Sequence, residues 1–273
     1  MHDNRFFPLA RVRLLSGLAF LFILALGVQA GAAKLKPGGW INVTRVVDGD
    51  TVEFSPLTDG ATEVRLVGIQ APKLPLGRKG FRKWPLADQS KLALQRLSAG
   101  RQLRLSYGGR RMDRHGRLLA HLHDGKGTWI QGEMLKKGMA RVYSFADNRA
   151  VVGDMLALEG KARGARRGLW AHSFYQVRDQ AKAGRFIGGF QLIEGRVLDV
   201  AVVRGRAYLN FGANWRTDFT ISLNKKALRI FRRAKLDLSS LKGQRVRVRG
   251  WIKSYNGPMI GASHPEQIEV LGK

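Results

Sequence analysis

Trp40 to Phe54 reads WINVTRVVDGDTVEF, and Glu63 to Lys73 reads EVRLVGIQAPK. The first stretch is rich in Val, Ile and Thr and is broken once, at Asp48-Gly49-Asp50. β-Branched side chains suit a pleated, half-buried surface, while Asp and Gly suit turns. Residues 40–54 therefore predict strand structure around a tight turn. A hairpin turn follows around residues 56–60, and residues 63–69 predict a second strand. Pro72 and Pro75 then open a loop.

Downstream, apolar residues at 86, 92, 94 and 97 fit an amphipathic helix that stops at Gly100. Residues 101–107 alternate as a strand, and residues 118–123 predict another. Residues 130–137 and 151–165 predict two more helices. Three glycines between 184 and 189 mark a boundary. Beyond it, short β-rich runs at 195–201, 207–211, 218–223, 245–251 and 267–271 surround a helix at 225–231. Five short strands with one helix match an OB-type barrel. Asn256-Gly257-Pro258 reads as a turn. The expected class is α+β and mainly β, with two small barrels.

The 273 residues include 48 Lys and Arg against 20 Asp and Glu, a net charge of +28, and no Cys. Without Cys there is no disulfide scaffold, Cys-ligated zinc, iron–sulfur cluster or thiol nucleophile. At 44% hydrophobic content a core can be built. Arg5, Arg11 and Arg13 precede an uncharged run over residues 14–28, and Val28-Gln29-Ala30 reads as a cleavage site. This predicts a signal peptide over residues 1–30 and an exported, periplasmic or secreted protein, with an uncleaved membrane anchor as the alternative. The leader holds three arginines and one aspartate, so 26 of the charge units lie beyond it. An excess of this size attracts polyanions.

Four motifs, in order, resemble the thermonuclease (staphylococcal nuclease-like) family over about residues 41–170. They are Val47-Asp48-Gly49-Asp50-Thr51-Val52, the strand Val64 to Pro72, Asp113-Arg114-His115-Gly116-Arg117 with Leu118 to Ala120, and Gly168-Leu169-Trp170 after a helix. The resemblance implies an OB-like five-stranded barrel with three helices, assigned to residues 31–180; the second, OB-like domain over 190–273 rests on its pattern of strands alone. It implies cleavage of DNA and RNA with one Ca²⁺. It places Asp50 on the first metal carboxylate. Arg65 and Arg117 fall on the arginines that bind phosphate and stabilise the transition state, a task suited to the bidentate guanidinium.

The chain departs from the family's Ile-Asp-(Thr/Ala)-Pro-Glu at Ile69-Gln70-Ala71-Pro72-Lys73. Gln70 replaces the second metal carboxylate and brings no charge; Lys73 replaces the proposed general base and does not accept a proton at neutral pH. Both changes argue against Ca²⁺. Lys73 with Arg65 and Arg117 would instead form a three-cation phosphate site that needs no metal. Asp48 is read as a brace for the turn.

Between Glu63 and Asp88 there is no acid, while Arg78, Lys79, Arg82 and Lys83 crowd the loop with Phe81 and Trp84 interleaved. Such a loop suits single-stranded nucleic acid, with Trp84 either stacking on bases or anchoring the core. Arg245, Arg247 and Arg249 alternate with Val246 and Val248, which predicts three arginines on one nucleic-acid-binding face. His121 and His123 are read as an exposed strand surface. The leading expectation is an exported protein that binds the phosphate backbone of DNA or RNA, with Ca²⁺-dependent cleavage weakened or lost. The alternatives are an active endonuclease or phosphodiesterase with an altered site, and an envelope-associated basic protein on anionic surfaces. No protein partner is implied.

Overall fold

The computed structural model describes Met1, His2 and residues 35–272, so nearly all of the expected leader lies outside the described residues. From Leu35 onward the chain forms one compact α+β unit. Among the described residues no helix is long and apolar enough to cross a membrane.

The first half contains β1 (Lys36–Asp48), β2 (Thr51–Thr58), β3 (Ala61–Leu66), β4 (Gly68–Gln70), α1 (Ala87–Ser98), β5 (Gln102–Tyr107), β6 (Leu118–His123), α2 (Ile130–Lys136), β7 (Arg141–Tyr143) and α3 (Val152–Gly164). Strands β1, β2, β3, β6 and β5 close a barrel in that order. β3 and β6 run parallel; the other neighbours are antiparallel. Alternation fills the barrel with Val52, Val64, Leu66, Leu103, Leu105, Leu118 and Leu122, all fully buried. This is the expected five-stranded barrel with three helices.

The strand expected over residues 63–69 is broken. Gly68 adopts φ +83°, a conformation costly for any residue with a Cβ, and the chain kinks there. β4 leaves the barrel and pairs with β7, setting Gln70 opposite Arg141.

The second half contains β8 (Arg178–Asp179), β9 (Phe190–Arg196), β10 (Asp199–Val203), β11 (Arg206–Asn210), β12 (Thr220–Leu223), α4 (Lys225–Arg233), β13 (Arg245–Ser254), β14 (Pro258–Gly261) and β15 (Ile268–Gly272). They form one sheet ordered β10-β11-β12-β14-β13-β9-β8, with β15 added on β13. β9 and β10 are separated only by Val197 and Leu198, so they act as one bent strand that pairs at both ends of the series. With β9–β10 taken as the first strand, every pairing of the first barrel recurs, including a parallel contact between third and fifth strands, β12 and β14. α4, like α1, follows the third strand. The OB-like expectation is met, with one correction. The fifth strand is β14, which begins at the last residue of the expected turn and continues through residues assigned no element, and the run at 267–271 is the additional β15.

A charged seam joins the two barrels. Glu159 on α3, fully buried, accepts hydrogen bonds from Val142 N at 2.5 Å, Arg163 Nη1 at 2.8 Å and both Arg249 Nη atoms at 3.0 and 2.9 Å. Arg249 also donates to Glu269 at 2.6 Å. Nearby, Arg149 grips Glu266 at 2.7 and 2.8 Å, and Trp251 Nε1 donates to the Tyr143 hydroxyl at 3.1 Å.

Candidate nucleic-acid site

The turn between β1 and β2 places two carboxylates inside the protein. The β1–β2 register shifts between Val46 and Asp48, an irregularity of the kind that re-aims side chains. Asp48 is 4% exposed and Asp50 is 0% exposed. Asp50 N donates to Asp48 Oδ1 at 3.0 Å, so Asp48 does brace the turn. Gly49 is required here because a Cβ would collide with Ser90 of α1 and with Ala71.

Two cations converge on Asp50. Lys73 Nζ donates to its two oxygens at 2.7 and 2.9 Å and lies 3.5 Å from Asp48 Oδ2. Arg65 Nη2 lies 3.3 Å from Asp50 Oδ2, and Ala71 N donates to the same oxygen at 2.7 Å. Burial alone would raise the Asp50 pKa. The charges of Arg65 and Lys73, with the Lys73 and Ala71 hydrogen bonds, overcome it and hold the carboxyl at about 2. Asp48 moves the other way: burial and the neighbouring Asp50 charge raise it against the pull of Lys73.

Arg65 is further committed to the backbone. Its Nη1 donates to Leu66 O at 2.6 Å and its Nη2 to Ile69 O at 2.7 Å. Gln70 is 6% exposed, and its carbonyl oxygen accepts from Arg141 Nε at 3.0 Å and Nη2 at 2.7 Å. Arg141 is stacked against Phe190, 4.5 Å from the ring centre, and burial draws its pKa down to about 10. Arg141 carries no motif. Its one sequence signal is an arginine set among the buried residues Ala140 and Val142.

Arg117 precedes β6 and lies on the sheet face that carries Arg65, since Arg65 pairs with Leu119. Its guanidinium is bound to Asp113 at 2.7 and 2.9 Å. Arg65 and Arg117 thus share a face of adjacent strands, and Arg65, Lys73 and Arg117 are each matched to a carboxylate.

Of the loop residues, Arg78, Lys79, Arg82 and Lys83 are all exposed. Arg78 covers Phe81 at 3.9 Å and donates to Leu74 O and Pro75 O, while Lys83 pairs with Asp88 at 2.5 Å. Trp84 is half-buried against Phe174, with ring centres 5.6 Å apart, and acts as an anchor.

The expected arginine face on β13 is not free. Val246 and Val248 are buried as predicted, but Arg249 is 1% exposed in the Glu159–Glu269 seam. Arg247 bridges Glu194 and Glu269, and Arg245 pairs with Glu194 at 2.9 Å. Opposing acids from α3, β9 and β15 take the face that alternation had left open. His121 is also buried, not exposed; Trp129 Nε1 donates to its Nδ1 at 3.3 Å, and desolvation lowers its pKa to about 3.

Residues 63–172 match the family model described as staphylococcal nuclease homologue, and the chain belongs to that family. It is 26% identical over 166 residues to Endonuclease YhcR of Bacillus subtilis (strain 168), covering 54% of this chain and 13% of the relative. It is 31% identical over 141 residues to Endonuclease YncB of the same organism, covering 50% and 64%. It is 23% identical over 163 residues to Thermonuclease of Staphylococcus hyicus, covering 57% and 94%. The chain thus spans less than two thirds of the two Bacillus relatives.

Proposed function

We propose that this chain is an exported nucleic-acid-binding member of its family that has given up Ca²⁺-dependent phosphodiester cleavage. The observation that carries the reading is Lys73 Nζ, seated at 2.7 and 2.9 Å on Asp50 and 3.5 Å from Asp48. Ca²⁺ takes six to eight oxygen ligands, carboxylates foremost. Here both turn carboxylates are engaged by an ammonium, and the Gln70 oxygen is engaged by Arg141. This donor set does not suit the ion. Asp48, Asp50, Lys73 and Arg65 neutralise one another. Lys73 in this geometry spends its hydrogen bonds on Asp50.

Affinity for the phosphate backbone then rests on the exposed loop after β4. Arg78, Lys79 and Arg82 form its cationic edge next to the Lys83–Asp88 pair, while Lys73 and Arg117 are matched to Asp50 and Asp113. Each phosphate contact releases counterions, so binding is tight at low salt and indifferent to sequence. The named endonuclease relatives favour a second reading, hydrolysis of DNA or RNA by an altered site.

Incubation with single-stranded DNA or RNA in Ca²⁺, Mg²⁺ or EDTA tests the choice. Binding in all three conditions with intact product supports the first reading. Metal-dependent turnover well above background establishes the second. Failure to bind either polymer at low salt defeats both.

A further inference from the structure

The second barrel carries a charged face that the first-domain site does not use. α4 presents Lys225, Lys226, Arg229, Arg232 and Arg233, and Lys235 follows it; all six are exposed. Among the described residues none of the six forms an ion pair, whereas Lys242 and Arg245 beyond them are matched to Asp199 and Glu194. The β10–β11 turn adds Arg204 and Arg206, also exposed. This turn lies beside the start of α4, because a Cβ on Gly205 would come within 2.8 Å of Lys225 Cε.

The same face is apolar where it is not charged. Val202 and Val203, at the turn, are 63% and 52% exposed. Val200, Val202, Leu228 and Leu236 line a groove of about 500 Å³ between β10 and α4, with Arg232 and Lys235 at its rim. Of the nearby acids, Asp199 is matched to Lys242, while Asp237 lines the groove and accepts from Ser239, one carboxylate among eight exposed cations.

No aromatic side chain is exposed on α4 or on the β10–β11 hairpin. Single-stranded nucleic acid draws much of its affinity from rings on which bases stack. Cations around exposed aliphatic side chains match an anionic bilayer instead, with phosphates at the rim and acyl chains beneath. We infer that the α4 and β10–β11 face docks onto membranes rich in anionic phospholipid.

The test uses the compact unit begun at Ala32, which excludes the apolar run at residues 14–28. It is sedimented with phosphatidylcholine vesicles, with or without phosphatidylglycerol, and titrated in parallel with oligodeoxythymidylate. Binding is expected only to the anionic vesicles. Arg229→Gln/Arg232→Gln/Arg233→Gln should weaken it by roughly a hundredfold, about fivefold per cation. Val202→Ser/Val203→Ser, which leaves every charge in place, should weaken vesicle binding about three- to tenfold and leave DNA affinity within about twofold. Equal binding to neutral vesicles, or no vesicle binding, would overturn the inference. So would a valine variant with unchanged vesicle affinity, or an arginine variant that loses DNA affinity as steeply as vesicle affinity; either result assigns the face to polyanions in general.

Discussion

Lys73 Nζ contacts both carboxylate oxygens of Asp50, at 2.7 and 2.9 Å, from the loop that follows β4. Asp50 is fully buried and Lys73 reaches it with its side chain 20% exposed. The chain therefore carries its own cation into the turn.

Replacing Lys73 by Met removes that cation and leaves Asp50 with Arg65 and Ala71 N. Loss of one partner from a buried pair costs about 3 kcal/mol. Urea unfolding should show a lower midpoint with an unchanged slope. A loss below about 1 kcal/mol would mean that solvent already screens the pair.

Acid should weaken the fold through the same group. The Asp50 pKa, about 2, lies below its unfolded value, so its stabilisation is complete above about pH 4 and vanishes as pH falls through 2. The difference is worth about 2 kcal/mol. Asp48 is raised and works in the opposite sense. Stability measured from pH 5 to pH 2 should fall less steeply in Asp50→Asn than in the wild type. Parallel curves would contradict the assignment.

The seam gives an independent prediction. Glu159→Gln leaves Arg249 buried with half of its countercharge and should cost about 3 kcal/mol. Arg245→Gln removes an arginine whose side chain is 60% exposed, and its effect on stability should stay below about 1 kcal/mol. Thermal unfolding of the two variants measures both, and a reversed order would show that the seam does not hold the barrels.

Lys79 and Arg82 are exposed and unpaired among the described residues. If they meet phosphate, Lys79→Gln/Arg82→Gln should reduce the slope of log affinity against log salt by about 1.4 for a single strand. An unchanged slope would place the polyanion elsewhere.

Much of the first barrel was legible because its core strands alternate and its turns carry Gly, Asp and Pro. The kink at Gly68 was not, since residues 63–69 read as a continuous strand; only the positive φ separates β3 from β4. β14 is four residues long and begins at Pro258, so its turn signals hid a strand held by β12 and β13. Alternation correctly sent Val246 and Val248 inward. It carried no information about what faces Arg245, Arg247 and Arg249, and the acids that do so come from α3, β9 and β15. The changes at Gln70 and Lys73 were visible as residue types. Their consequence depended on where each side chain turned, Gln70 to Arg141 and Lys73 to Asp50.

Calcium titration calorimetry at pH 7 tests the central claim most directly, on the wild type and on Gln70→Asp/Lys73→Glu. With Lys73 seated on Asp50, the wild type should give no saturable heat into the millimolar range. The double variant, which replaces an amide and an ammonium with two carboxylates, should bind one Ca²⁺. Saturable one-site binding by the wild type would contradict the account.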